Sequence, residues 1–133
     1  MYKLYTTLNI HPLPSHRYRL KESYYYTTKE GDEIAVPFGY ITNGANIPRS
    51  LWAVVPPNDS NILPAVVIHD WLCSKAHKEG YDLETFRYAN KIFAEVLETL
   101  NINIYKRTYL VTGVKLYQQV RPVIKMIQEL KDK

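Results

Sequence analysis

The chain has 133 residues, of which 46% are hydrophobic and 23% charged. That profile fits one folded domain with its own core and excludes a disordered chain. The single cysteine, Cys73, excludes an internal disulfide and a cysteine-cluster zinc site, and no apolar run is long enough to predict a membrane span. The net charge of +4 is unevenly spread. Residues 106–133 carry seven Lys and Arg against Glu129 and Asp132, which is +5, so residues 1–105 sum to −1. A cationic end segment attracts acidic partners, although spaced charges of this kind also suit the solvated face of an amphipathic helix.

The N-terminus, MYKLYTTLNIHPLP, has no apolar signal core with a small-residue cleavage site, so export by that route is not expected. The first 45 residues read as strands. Three runs, Tyr2 to Ile10, Arg17 to Thr28 and Glu33 to Thr42, are rich in aromatic and β-branched residues. His11-Pro12-Leu13-Pro14 and Lys29-Glu30-Gly31-Asp32 are the expected breaks between them. Pro37 inside the third run predicts an edge, a bulge or a bend. Tyr24, Tyr25 and Tyr26 cannot all share one face of a strand, so one of them faces solvent or a partner.

After Asn46 the pattern turns helical. Pro48 suits the first position of a short helix to about Val54, and Pro56-Pro57-Asn58-Asp59-Ser60 reads as a loop. A helix is predicted over about 61–76, with Pro64 tolerable in its first turn. Lys78-Glu79-Gly80 breaks it. Asp82 can cap a further helix over about 83–100, whose apolar positions Phe86, Ala89, Phe93, Val96 and Leu97 follow helical spacing. A last helix starts near 104, with Pro122 expected to kink or divide it. Strands first and helices afterwards predict an α+β fold. We therefore expect a single domain over 1–133, with an N-terminal antiparallel β-sheet (strands about 1–45) packed against three or four C-terminal helices (about 47–130).

Two segments place polar groups in apolar surroundings. Leu63 to Ile68 is apolar on every side, which marks a helix entering a core, and His69 and Asp70 follow directly. Burying either without a partner is costly, so partners are required. Adjacent helical residues point about 100° apart, so the two need not share one partner. Such a pair serves general acid–base chemistry or metal ligation, but alone it supplies at most two ligands, and no metal or cofactor is assigned. The competing reading is a satisfied polar knot, with Asp70 accepting from backbone N–H groups or Arg49 and His69 bonding a backbone carbonyl. In the second segment, Thr42 to Arg49, Asn43-Gly44 is a turn signal and Asn46 a helix cap. Arg49 lies in a first helical turn, against the dipole preference, and so invites an anionic partner.

These residues resemble a known pattern. VPFGYITNGANIPRSLW is similar to V-P-x-G-F-x-T-D-x-A-S-I-P-R, AVVIHDWL to A-x-x-x-H-D-x-L, and Arg87 to Phe93 to a third motif with an Ala-Asp pair. Together, over about residues 17–120, they resemble a family of phage, prophage and bacterial proteins catalogued as a domain of unknown function. Three positions depart from it: Asn43 stands where the family has Asp, Asn46 where it has Ser, and Asn90 where it has Asp. Of three expected carboxylates only Asp70 remains, and an amide brings no charge and cannot act as a base.

The resemblance implies a phage-type accessory protein whose motifs converge on one polar pocket, with His69 and Asp70 as the catalytic candidates and Thr42, Asn43, Arg49 and Asn90 as binding residues. If the site is catalytic, hydrolysis suits it, with His69 as acid, base or ligand, Asp70 orienting it, and cell-wall peptidoglycan as the contextual substrate. The alternative is a non-enzymatic interaction module, a virion or tail component or an inhibitor of a host protein, for which the 12 tyrosines speak. The expected partner is then a phage or host protein. Nucleic-acid binding through residues 106–133 ranks last, because no recognition motif supports it. The expected location is cytoplasmic at synthesis, with assembly into virions as a later step. Cys73, one turn beyond His69, reads as a small buried apolar residue.

Overall fold

A computed structural model of the chain describes residues 3–4, 8–14, 17–42, 62–78 and 83–131. Within them lie six short strands and three helices: β1 (Lys3–Leu4), β2 (Ile10–Leu13), β3 (Arg17–Leu20), β4 (Tyr24–Thr27), β5 (Glu33–Val36), β6 (Ile41–Thr42), α1 (Leu63–Lys78), α2 (Leu83–Thr99) and α3 (Ile104–Lys131). The arrangement is α+β, as the order of patterns predicts. The short helix expected from Pro48 and the loop at 56–60 lie outside the described residues.

The strands form two three-stranded antiparallel sheets, ordered β1-β4-β5 and β2-β3-β6. Each long β-type stretch is broken and gives one strand to each sheet. Arg17–Thr28 breaks at Lys21–Ser23. Glu33–Thr42 breaks at Pro37, where the Tyr40 N–H donates to the Pro37 carbonyl (3.2 Å) and Gly39 sits at φ 85°. That is a type II turn, whose third position needs a residue that tolerates positive φ. Bends of this kind let one chain pass from sheet to sheet. The expected break at His11–Pro14 is instead strand β2, with Pro12 opposite Tyr18. Pro12 is tolerated there because β2 is an edge strand, where a missing N–H leaves no ladder bond unmade. The break at Lys29–Asp32 is the β4–β5 hairpin turn, in which Thr28 N donates to the Asp32 carbonyl (2.8 Å) and Gly31 takes φ 91°.

Alternation sets the inner face. Tyr24 and Tyr26 point into the core and Tyr25 points out, while Ile34 and Val36 of β5 point in. α1 is the central helix, with Val66, Val67 and Ile68 wholly buried, and it packs on α2, β5 and β6. Phe93, Val96 and Leu97 of α2 complete the core. Glu95 fastens α2 to the first sheet by accepting from the Tyr26 hydroxyl (2.9 Å) and the Lys29 backbone N–H (2.8 Å).

α2 ends in a Schellman motif. Asn101 takes the left-handed conformation at φ 60°, Asn101 N donates to Glu98 O (3.0 Å), and Ile102 N donates to Leu97 O (3.1 Å). Two residues later Asn103 caps α3, its Oδ1 accepting from Tyr105 N–H (2.8 Å). α3 packs on α2 through Leu110 and Val114 and then continues to Lys131 without interruption at Pro122. The expected division there does not occur. One missing backbone donor in a helix of 28 residues is a local loss that the hydrogen bonds on either side outlast.

Candidate functional site

His69 and Asp70 lie in the middle of α1 and turn to different neighbours, as the rotation per residue dictates. His69 faces α2. Its ring is 0% exposed and tilts at 47° against Phe93, with centroids 4.8 Å apart. Nε2 lies 2.9 Å from Asn90 Oδ1, on the third motif. A carbonyl oxygen can only accept, so Nε2 carries the proton and donates it. Cys73, buried one turn further on, brings its sulfur to 3.6 Å from Nε2 and 3.8 Å from Nδ1. Burial pushes the His69 pKa down to about 4, against an opposing pull from the Asn90 hydrogen bond. The ring is therefore neutral at physiological pH, and its partner is a side-chain amide rather than the expected backbone carbonyl.

Asp70 faces the sheets and is 9% exposed. Its Oδ2 accepts from the Tyr40 hydroxyl at 3.1 Å. Ser74, one turn along α1, sets its Oγ 2.9 Å from the Tyr40 hydroxyl and 2.9 Å from the Asp70 carbonyl oxygen. Burial and the adjacent Asp70 carboxylate hold the Tyr40 phenol well above its usual range, so it stays a donor. The Tyr40 ring meets Trp71 edge to face, with centroids 5.2 Å apart at 79°, and Lys75 Nζ lies 5.1 Å from the Trp71 ring centroid. Tyr40 is held at this spot by the type II turn and by the end of β3, where the Leu20 N–H donates to its carbonyl (2.9 Å).

Of the residues marked by the sequence, His69 and Asn90 meet directly, while Asp70 stands on the other side of α1. Thr42 is wholly buried at the end of β6, a strand packed on α1, and its Oγ1 has no hydrogen-bond partner among the described residues. The same holds for Trp71 Nε1. Asn43 and Arg49 lie outside the described residues. Tyr40 and Ser74 are the participants that the motif reading missed. The available signals were spacing: Tyr40 shares a strand face with Thr42 two positions on, and Ser74 follows Asp70 by four in a helix. Among the described residues no group of three or more His, Cys, Asp or Glu stands where it could hold a metal ion. No helix of the described residues is long and apolar enough to cross a membrane.

A sequence profile built on a family of proteins of unknown function, DUF1353, matches residues 18–114. The chain belongs to the DUF1353 family. The DUF1353 match runs from β3 to Val114 of α3, and so takes in His69, Asp70, Asn90, Tyr40 and Thr42. Comparison with curated proteins and with solved structures returned no match.

Proposed function

We propose that this DUF1353 chain is a one-domain binding module of the phage type, a virion or tail component or an inhibitor of a host protein. In this reading the His-Asp pair serves recognition and folding rather than hydrolysis. The observation that carries the reading is the state of His69. It is sealed from solvent, neutral, and committed through Nε2 to Asn90. A general acid or base must reach the proton it moves and titrate near the working pH. His69 does neither and acts as a cross-link between α1 and α2. The surface left for a partner is the exposed Lys75 with the half-buried Trp71 and Tyr40 beside it, where an ammonium and an aromatic pair lie side by side above the buried Asp70. Such amphipathic aromatic clusters suit protein contacts.

A second reading, a hydrolase acting on cell-wall peptidoglycan, draws support from Thr42 Oγ1 and Trp71 Nε1, two buried polar atoms that have no hydrogen-bond partner among the described residues. In that case Asp70 is the acid–base group and Arg49 steadies an anion.

The two readings separate in one experiment. Parent, His69→Ala and Asp70→Asn proteins are melted and assayed on purified peptidoglycan, and assembled particles are searched for the chain by mass spectrometry. The binding reading expects no turnover, a large drop in melting temperature for His69→Ala, and the chain either in particles or bound to a defined protein. Turnover by the parent that Asp70→Asn removes without loss of stability overturns it.

A further inference from the structure

We infer that the outer side of α3 lies on an anionic lipid surface, with its apolar stripe in the headgroup boundary and lysines on both borders. α3 has two apolar stripes. Leu110 and Val114 form the one buried against α2. Tyr105, Tyr109, Leu116, Ile127 and Leu130 form the other and are 41–83% exposed. At about 100° per residue these five fall within an arc of roughly 60°, centred well over 100° around the helix from Leu110 and Val114. Met126, also exposed, widens the sector to about 100°. Among the described side chains only Thr108 and Thr112 are polar within it. These residues lie on the first and last stretches of α3, 105–116 and 126–131, and one unbroken helix sets their common direction.

Charge selects the occupant. No Lys, Arg, Asp or Glu of α3 falls inside the sector. On one border stands the exposed Lys115, about 20° beyond Met126. On the other stand the exposed Lys131 and the half-buried Lys106, about 40° and 60° beyond Tyr109 and Ile127. The single acid of α3, Glu129, lies on the far half of the helix. An apolar sector with cations on both borders is the pattern of a helix lying in a membrane interface. The apolar side chains enter the acyl boundary and the ammonium groups meet anionic headgroups. Tyr105 and Tyr109 suit that depth, each having an apolar ring and a hydroxyl for the polar layer.

The same pattern turns other occupants away. A second copy laid stripe to stripe would bring two sets of bordering lysines together, with Glu129 on the wrong side to relieve them, and like charges across an interface oppose association. A nucleic acid would meet the lysines through its phosphates and leave the apolar sector in water. A protein groove would need an apolar floor and two acidic rims along the roughly 40 Å of this 28-residue helix. An anionic bilayer offers both everywhere. The place of the stripe in the fold agrees. It points away from α2, and residues 126–131 are exposed all round, so α3 can lie on a surface without disturbing the core.

Co-sedimentation of the full chain with vesicles tests the inference, using phosphatidylcholine alone and phosphatidylcholine mixed with phosphatidylglycerol. The expected result is binding to the mixed vesicles that weakens as salt rises, and binding to the neutral ones that is weaker by roughly tenfold or more. Leu116→Glu/Ile127→Glu should lose the binding with an unchanged far-UV spectrum, since both side chains are exposed. Lys115→Gln/Lys131→Gln should weaken it about tenfold. Lys21→Gln/Lys78→Gln removes the same charge from exposed positions elsewhere and should leave it nearly unchanged. A parent that does not bind the mixed vesicles overturns the inference, and so does equal weakening by the two lysine pairs. A parent that sediments alone as a dimer, and as a monomer once Leu116→Glu/Ile127→Glu is made, also overturns it, because the stripe would then belong to a second copy.

Discussion

Replacing His69 by Ala removes a wholly buried ring and strips the buried Asn90 carbonyl of the donor seen at 2.9 Å. The lost packing against Phe93 and the cavity left behind cost about 2–4 kcal/mol, by analogy with other large-to-small core changes. The acceptor left without its donor adds about 1 kcal/mol. A total of about 3–5 kcal/mol corresponds, for a chain of this length, to a fall in melting temperature of roughly 10–20 °C. The same ring leaves a mark on the pH profile. His69 has a pKa of about 4 when folded, against 6.5 as the model value for a free side chain. Between these values the unfolded chain binds a proton that the native state refuses, so native stability rises with pH across this window and falls as acid is added. From pH 7 to pH 5 that one group should remove about 2 kcal/mol from the parent and nothing from His69→Ala. Urea melts at pH 7 and pH 5 on both proteins measure the difference. A variant that melts within about 2 °C of the parent, or a pair whose stability declines equally with acid, refutes the structural role of His69.

Three further outcomes follow from the geometry. Tyr40→Phe removes the donor to Asp70 and the contact with Ser74 and should cost about 1–2 kcal/mol in urea unfolding, with the fold intact by circular dichroism. Asn103→Ala removes the side-chain acceptor that caps α3 and should cost about 1 kcal/mol in the same assay. Asn101→Gly relieves a non-glycine residue at φ 60° and should raise the melting temperature by a few degrees, since roughly 0.5–1 kcal/mol is recovered.

The legible parts of the sequence were those governed by local rules. The starts of α1 and α2 follow from Pro64 and from apolar spacing, whereas the Asn103 cap of α3 came only with the structure. The 100° rotation between His69 and Asp70 is enough to foresee that they serve different neighbours. Asn90 was marked through a motif, but its pairing with His69 depends on how α1 and α2 cross, which no local pattern encodes. Tyr40 escaped notice because an aromatic residue in a β-type run looks like ordinary strand composition; only the Gly39 turn reveals that it is aimed at α1. The division of the strands between two sheets was hidden for a related reason. Periodicity reports that a stretch is extended, whereas partner choice is set by bends at Lys21–Ser23 and Pro37–Tyr40. Pro12 and Pro122 read as breaks because proline lacks a donor, and each is tolerated where that donor is not needed or where neighbouring bonds suffice.

The crossing of chain segments between the two sheets bears on how the molecule comes apart. β3 and β4 are joined by only three residues and β5 and β6 by only four, yet the members of each pair sit in different sheets. Pulling one sheet open therefore drags on the backbone of the other, and neither can melt as a private event. Tyr40, at the mouth of one such crossing, ties the Asp70 cluster to the same mechanical unit. The cluster is set on a braced joint and not on a swinging flap, so a partner reading it meets a surface that is already in shape.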